Sequence, residues 1–195
     1  MGTSSRRTAE DWVAAAYDRF RTDGLAAVRV EAVARDLGAT KGSFYWHFAD
    51  RAALVAAVVE RWERERTDRL VAAADATDGP ADPRARLERL FAAVAADPVL
   101  GEDPLYLEAA DEGVAEAVAR VSQRRVEHVA ALLEELGVEP RAAHQRALLA
   151  LASALGLRQL ARIGLVGGAS PAPSQGVDLV DLLTAPSADA RAGAR

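Results

Sequence analysis

Between Val30 and Phe48 the chain reads VEAVARDLGATKGSFYWHF. The apolar residues Val33, Ala34 and Leu37 fall at helical spacing, which predicts a helix over about 30–37. Gly38 is placed to stop it, and Thr40 is placed to cap the next. Two short helices joined by Gly38-Ala39-Thr40 form a helix-turn-helix pattern. The second of them holds four of the chain's ten aromatic residues and its only lysine, Lys41.

Turning residues 41–48 at about 100° per residue separates two edges of this helix. Phe48 lies roughly 40° from Phe44, so that pair suits a core. Trp46 lies roughly 200° away and Gly42 roughly 160°, with Tyr45, Ser43 and His47 between the edges. A core helix does not turn Gly, Ser and Trp away from its own Phe pair. The edge opposite Phe44 is expected to be exposed and to suit a major groove about 12 Å wide. There Gly42 permits close approach, and Lys41 reaches guanine O6/N7 or a phosphate. Tyr45 and Trp46 supply a hydroxyl, an indole N–H and flat apolar surface. The helix N-terminus capped by Thr40 attracts a phosphate. His47 and Arg51 lie one turn further on, where a flanking phosphate can sit.

The rest of the chain reads as helix. Ala, Leu, Arg and Glu dominate after residue 8, which favours an all-α fold. The valines at 28, 30 and 33 are the only strand-like signal. Thr8 with Asp11 predicts a capped first helix whose inner face is Val13, Ala16, Tyr17 and Phe20, ended by Gly24. Asp50 caps a long helix with Leu54, Val55, Val58 and Trp62 inward, reaching about Ala74. DATDGPADP (75–83) is a break. Asp82-Pro83 and Asp103-Pro104 each restart a helix. Long helices are expected from about Gly113 to Leu136 and from Pro140 to about Leu165. GGASPAPSQG (167–176) reads as a loop, VDLVDLL (177–183) as a last short helix, and 186–195 as a disordered tail.

Composition narrows the functions available. With no cysteine there are no disulfides, thiolate sites or Cys nucleophile, and three scattered histidines do not suggest a metal site. His128 and His144 read as ordinary surface or packing residues. No apolar run is long enough for a membrane span and the N-terminus lacks a secretory pattern, so a cytoplasmic protein is expected. No paired carboxylates, Ser/His/Asp set or glycine-rich phosphate loop stands out, so neither an enzyme nor a cofactor is expected. The formal net charge is −5. Residues 1–51 nonetheless carry eight Lys/Arg against seven Asp/Glu, so the acidity lies in the later part. Arg6 and Arg7 read as a solubilising tail.

The stretch GLAAVRVEAVARDLGATKGSFYWHFADRAALVAAV strongly resembles the DNA-binding domain of the tetracycline-repressor (TetR) family of bacterial transcriptional regulators. Phe20, Gly24, Val33-Ala34, Gly38, Gly42, Phe44-Tyr45, His47-Phe48, Arg51 and Leu54 keep its register, and the resemblance covers about residues 8–62. It implies a three-helix DNA-binding unit over 1–50, a connecting helix over 51–74 and a helical ligand-binding and dimerisation domain over 75–185, about nine helices in all. It places base and phosphate contacts on Thr40, Lys41, Gly42, Ser43, Tyr45, Trp46, His47 and Arg51. Two positions depart from the family's habit. Arg29 stands where a capping Thr is usual, and can reach a phosphate instead. Glu31 stands where a basic or neutral residue is common; its charge repels phosphate or accepts from cytosine N4.

The same resemblance implies a homodimer on a double-stranded, pseudo-palindromic operator, released by a small-molecule effector. Trp62, Leu87, Phe91, Tyr106 and Leu107 are candidates to line the effector cavity. In 146–164, Ala150, Ser153, Ala154 and Gly156 alternate with leucines, as on a helix that packs closely against another. The alternative is an all-α small-molecule binder or enzyme in which the helix-turn-helix is only architectural.

Overall fold

A computed structural model describes residues 7–76, 82–96, 102–165 and 179–185. The expected loop at 167–176, the tail at 186–195 and Arg6 lie outside them. Among the described residues the fold is all-helical, without a strand. The helices are α1 (Ala9–Asp23), α2 (Val30–Leu37), α3 (Lys41–Phe44), α4 (Arg51–Glu63), α5 (Arg69–Asp75), α6 (Pro83–Ala96), α7 (Glu102–Glu108), α8 (Ala115–Glu135), α9 (Pro140–Arg162) and α10 (Leu179–Thr184).

Two compact units divide the chain, one from 1–67 with 99–121, the other from 68–98 with 122–195. In the first, α1 opens on a reciprocal cap. Thr8 N–H donates to Asp11 Oδ2 at 2.7 Å, and Asp11 N–H donates to Thr8 Oγ1 at 3.2 Å. The cap's hydrogen bonds hold the Asp11 carboxyl below its ordinary range. The inner face of α1 is Val13, Ala16, Tyr17 and Phe20 as expected, with Trp12 buried beside them. Trp12 meets Phe44 edge-on at 5.4 Å, and Phe44 stacks on Phe48 at 5.5 Å. Leu54, Val55, Val58, Val59 and Trp62 of α4 close the same core, together with Leu105 and Val121.

Gly38 ends α2 in the left-handed region, at φ 60°. Gly38 N–H donates to Arg35 O at 3.1 Å and Ala39 N–H to Ala34 O at 2.8 Å, so two orphan carbonyls are met within one turn. Arg7 Nε donates to a third, Leu37 O, at 3.0 Å. Arg7 thus ties the start of the chain to α2 rather than serving as a free tail. Arg19 clamps α1 to α2 through two bonds to Asp36, at 2.6 and 3.0 Å.

Two elements differ from expectation. The α-helix after Thr40 is four residues long, not eight. Beyond it the turn tightens, with Trp46 N–H to Ser43 O at 3.4 Å and His47 N–H to Phe44 O at 2.9 Å, both i to i−3. The long helix after Asp50 contains a π-helical segment, Arg64–Asp68, between α4 and α5. In the same unit Arg66 is buried opposite Glu102, 3.9 Å away.

The second unit has its own core. Leu87, Leu132, Leu133, Ala143, Ala147 and Leu183 are buried there, and α6, α8, α9 and α10 supply them. Asp82 and Pro83 start α6 as expected, with Arg84 N–H donating to Asp82 Oδ1 at 3.1 Å.

Candidate nucleic-acid interface

Thr40 builds the exposed turn. Its hydroxyl accepts from Ser43 N–H at 3.2 Å, and Ser43 Oγ donates back to Thr40 O at 2.7 Å. The rotation imposed by this cap splits the aromatic cluster. Phe44 is fully buried and Phe48 half-buried. Tyr45 is 57% and Trp46 77% exposed. Gly42, Lys41 and Thr40 are exposed too, while Ser43 and His47 are half-buried. Thr40, Lys41, Gly42, Tyr45 and Trp46 therefore share an open edge, with Ser43 and His47 at its margin. Gly42 has only Thr40 Oγ1 near the place a Cβ would take, at 3.8 Å, so close approach there is open to a partner rather than blocked by the fold.

The two departures behave differently. Arg29 is exposed; it precedes α2 without capping it through its side chain, and its Nε leans on Ala26 O at 3.4 Å. Glu31 holds Lys41, with Nζ to Oε1 at 2.5 Å. That bond lifts the Lys41 ammonium above its ordinary range and lowers the Glu31 carboxyl. Both residues remain more than half exposed.

Arg51 turns away from this edge. Its Nε donates to Val28 O at 2.6 Å and its Nη2 to Leu25 O at 2.9 Å, while both terminal nitrogens grip the Glu112 carboxylate. A guanidinium offers five N–H donors, and contacts within the fold already engage four of them. Arg51 thus links the 3₁₀ turn Leu25–Ala27 to the turn after α7. Glu108 serves the same turn by accepting from Leu25 N–H at 2.9 Å. Gly24 sits at φ 82°, and a Cβ there would come within 3.0 Å of both Glu108 and Pro104. Neither glutamate was legible as a partner, because each is remote in sequence from the turn it holds. Glu31 did carry a signal: an acid on an edge otherwise suited to DNA.

The five effector candidates divide between the two units. Trp62 is filled core in the first unit and Leu87 in the second. Leu107 is 80% exposed. Tyr106 and Phe91 are half-buried, one in each unit. A cleft of about 300 Å³ in the first unit is lined by Ala56, Val59, Glu60, Val114, Ala117 and Arg120 among others, and by none of these five. Among the described residues no group of three His, Asp or Glu could hold a metal ion, and no helix is long and apolar enough to cross a membrane.

A short helix anchored by a buried Phe, with an open aromatic and cationic edge after a glycine-stopped helix, is the arrangement of a helix-turn-helix unit. Residues 13–58 match the family model described as "Bacterial regulatory proteins, tetR family". The matched stretch runs from α1 into α4 and includes the helix-turn-helix. The crystal structure of a TetR-like transcriptional regulator from Rhodococcus sp. RHA1 is similar in fold, with a TM-score of 0.62 and 20% identity over 94% of each chain. Comparison with curated proteins gives no match.

Proposed function

We propose that the protein is a ligand-responsive repressor that binds a pseudo-palindromic operator as a homodimer. The exposed Tyr45–Trp46 pair, on a turn pinned by buried Phe44, is the observation that supports this most. Large aromatics left in water contribute little to folding, so their return lies in a partner. Residues 1–50 are assigned the reading of DNA, 51–74 the connection and 75–185 effector binding and dimerisation. Thr40, Lys41, Gly42, Tyr45 and Trp46 are the proposed contacts at base edges and phosphates, with Ser43, His47 and Arg29 flanking them. Arg51 is assigned the bracing of the unit instead of a phosphate contact.

Two recognition helices on successive major grooves would stand roughly 34–36 Å apart. An effector that favours another spacing releases DNA by shifting the population. Phe91 and Tyr106, the half-buried members of the expected cavity set, are the positions whose substitution tests effector binding in each unit. The deciding experiment is selection of bound fragments from the source genome, followed by affinity measured against salt. Binding that falls steeply with salt and a footprint with two half-sites are expected. Salt-independent or absent binding would sink the reading.

A further inference from the structure

The Glu31–Lys41 pair joins α2 to the first turn of α3 on the open edge. Neither side chain contributes to the core. Lys41 and Glu31 answer each other's charge, Nζ to Oε1 at 2.5 Å. A polyanion approaching this edge therefore meets an ammonium whose charge is already answered. Exposed ion pairs are weak and screened by salt, so this one exchanges readily rather than locking the turn. What decides the exchange is the fate of the carboxylate left behind. A phosphate offers acceptors only. It takes Lys41 and leaves Glu31 unpartnered beside further negative charge. A G·C pair offers guanine O6 and N7 to Lys41 and the cytosine N4 amino group to Glu31.

Resting on the DNA-binding reading above, we propose that Glu31 is a specificity-determining residue. It restrains Lys41 from indiscriminate phosphate contact and gives it up where a G·C pair satisfies both side chains. This is discrimination by a repulsive element, which lowers affinity for the wrong partner more than for the right one.

The test uses the full-length protein with two duplexes of equal length, one recovered from the genomic selection and one of random sequence. Equilibrium affinity is measured between about 50 and 200 mM salt. Glu31→Gln keeps the side chain's size and removes its charge. It is expected to tighten binding to the random duplex by about tenfold, to steepen the salt slope by about one counterion per protomer, and to leave the selected duplex bound no more tightly. The specificity ratio then falls by at least about tenfold. In a Lys41→Ala background the same change should act less, since only the carboxylate's own repulsion is left to remove and no ammonium is left to release. If Glu31→Gln shifts both duplexes by one factor, leaves both unchanged, or acts equally without Lys41, the inference is overturned while the DNA-binding reading stands. If the wild-type protein binds neither duplex in a salt-dependent way, that reading fails and this inference falls with it.

Discussion

Phe44 and Trp46 stand two positions apart on one tight turn and meet opposite surroundings. Phe44 is fully buried among Trp12, Tyr45 and Phe48, whereas Trp46 faces water. Truncating a buried Phe costs about 3–5 kcal/mol, while truncating an exposed side chain usually changes stability by less than about 0.5 kcal/mol. Trp46→Ala is therefore expected to leave the urea midpoint nearly unchanged and to weaken operator binding by about tenfold or more. A folded variant with undiminished gel-shift affinity would remove Trp46 from the reading edge. Tyr17 poses the reverse problem. Its ring lies beneath the Arg61 guanidinium, 5.0 Å from the centroid, and its hydroxyl is buried without a hydrogen-bond partner among the described residues. Burial, with the Glu65 charge adding, pushes the phenol up to about 12. Removing an unsatisfied buried hydroxyl relieves a desolvation cost. Tyr17→Phe should leave stability equal or raise it by up to about 1 kcal/mol in urea unfolding; a clear loss would show that the hydroxyl is bonded.

At the level of elements, Arg51 at the start of α4 connects three pieces of chain through two carbonyls and the Glu112 carboxylate. Glu112 is largely buried on its side of the pair, so its carboxylate is stranded when Arg51 is removed. Hydrogen bonds to charged groups contribute about 1.5–3 kcal/mol, and Arg51→Ala should cost in that range. The Arg51→Ala/Glu112→Gln double variant should lose less than the sum of the singles, as a double-mutant cycle in urea would read. Additive losses would mean that the two do not act as a pair. In α8, burial lowers the affinity of His128 for a proton below the ordinary value of 6.5, and Arg86 adds to this against the pull of Asp75 and Glu135. Its Nε2 lies 3.8 Å from Asp75 Oδ1, too far for a hydrogen bond. The unfolded chain then binds the proton more readily. The stabilising effect of the neutral ring is complete above pH 6.5 and is lost as pH falls from there through the lower folded-state value. The urea midpoint should drop between pH 7.5 and 5, and by less in His128→Gln. An identical drop in both would assign the loss to other groups.

At the scale of the molecule, α9 turns Ala143, Ala147 and Ala150 to the core of the second unit. The opposite side shows Leu149, Ser153, Gly156, Leu160 and Ile163 to water, with Leu182 of α10 also exposed. A stripe with Leu149 at one end, small residues in its middle and Leu160 and Ile163 at the other suits close helix packing against a second copy. Nothing lies within 4 Å of where a Gly156 Cβ would sit, so the described fold leaves that surface open. Leu149→Arg should leave the subunit folded and shift sedimentation toward monomer, with operator affinity falling in step, because one short recognition helix seldom binds well alone. An unchanged dimer would place the interface elsewhere. The net charge of −5 adds a general repulsion from DNA, which on the proposed function leaves the few cations of the open edge with a larger share of the binding.

The sequence by itself determined the helices, their caps at Thr8, Thr40 and Asp50, the stop at Gly38, and the division between Phe44 and Trp46. All of these follow from interactions within about one turn of chain, where a period of 3.6 residues and a few side-chain oxygens decide the outcome. Only the tertiary structure decided that Arg51 serves Glu112, 61 residues away, that Lys41 is met by Glu31 across the turn, and that the chain passes through a π-helical segment after α4. Those outcomes depend on which distant groups the packed helices bring within hydrogen-bonding reach. No local pattern encodes that, because a charged side chain takes the nearest partner in space and not in sequence.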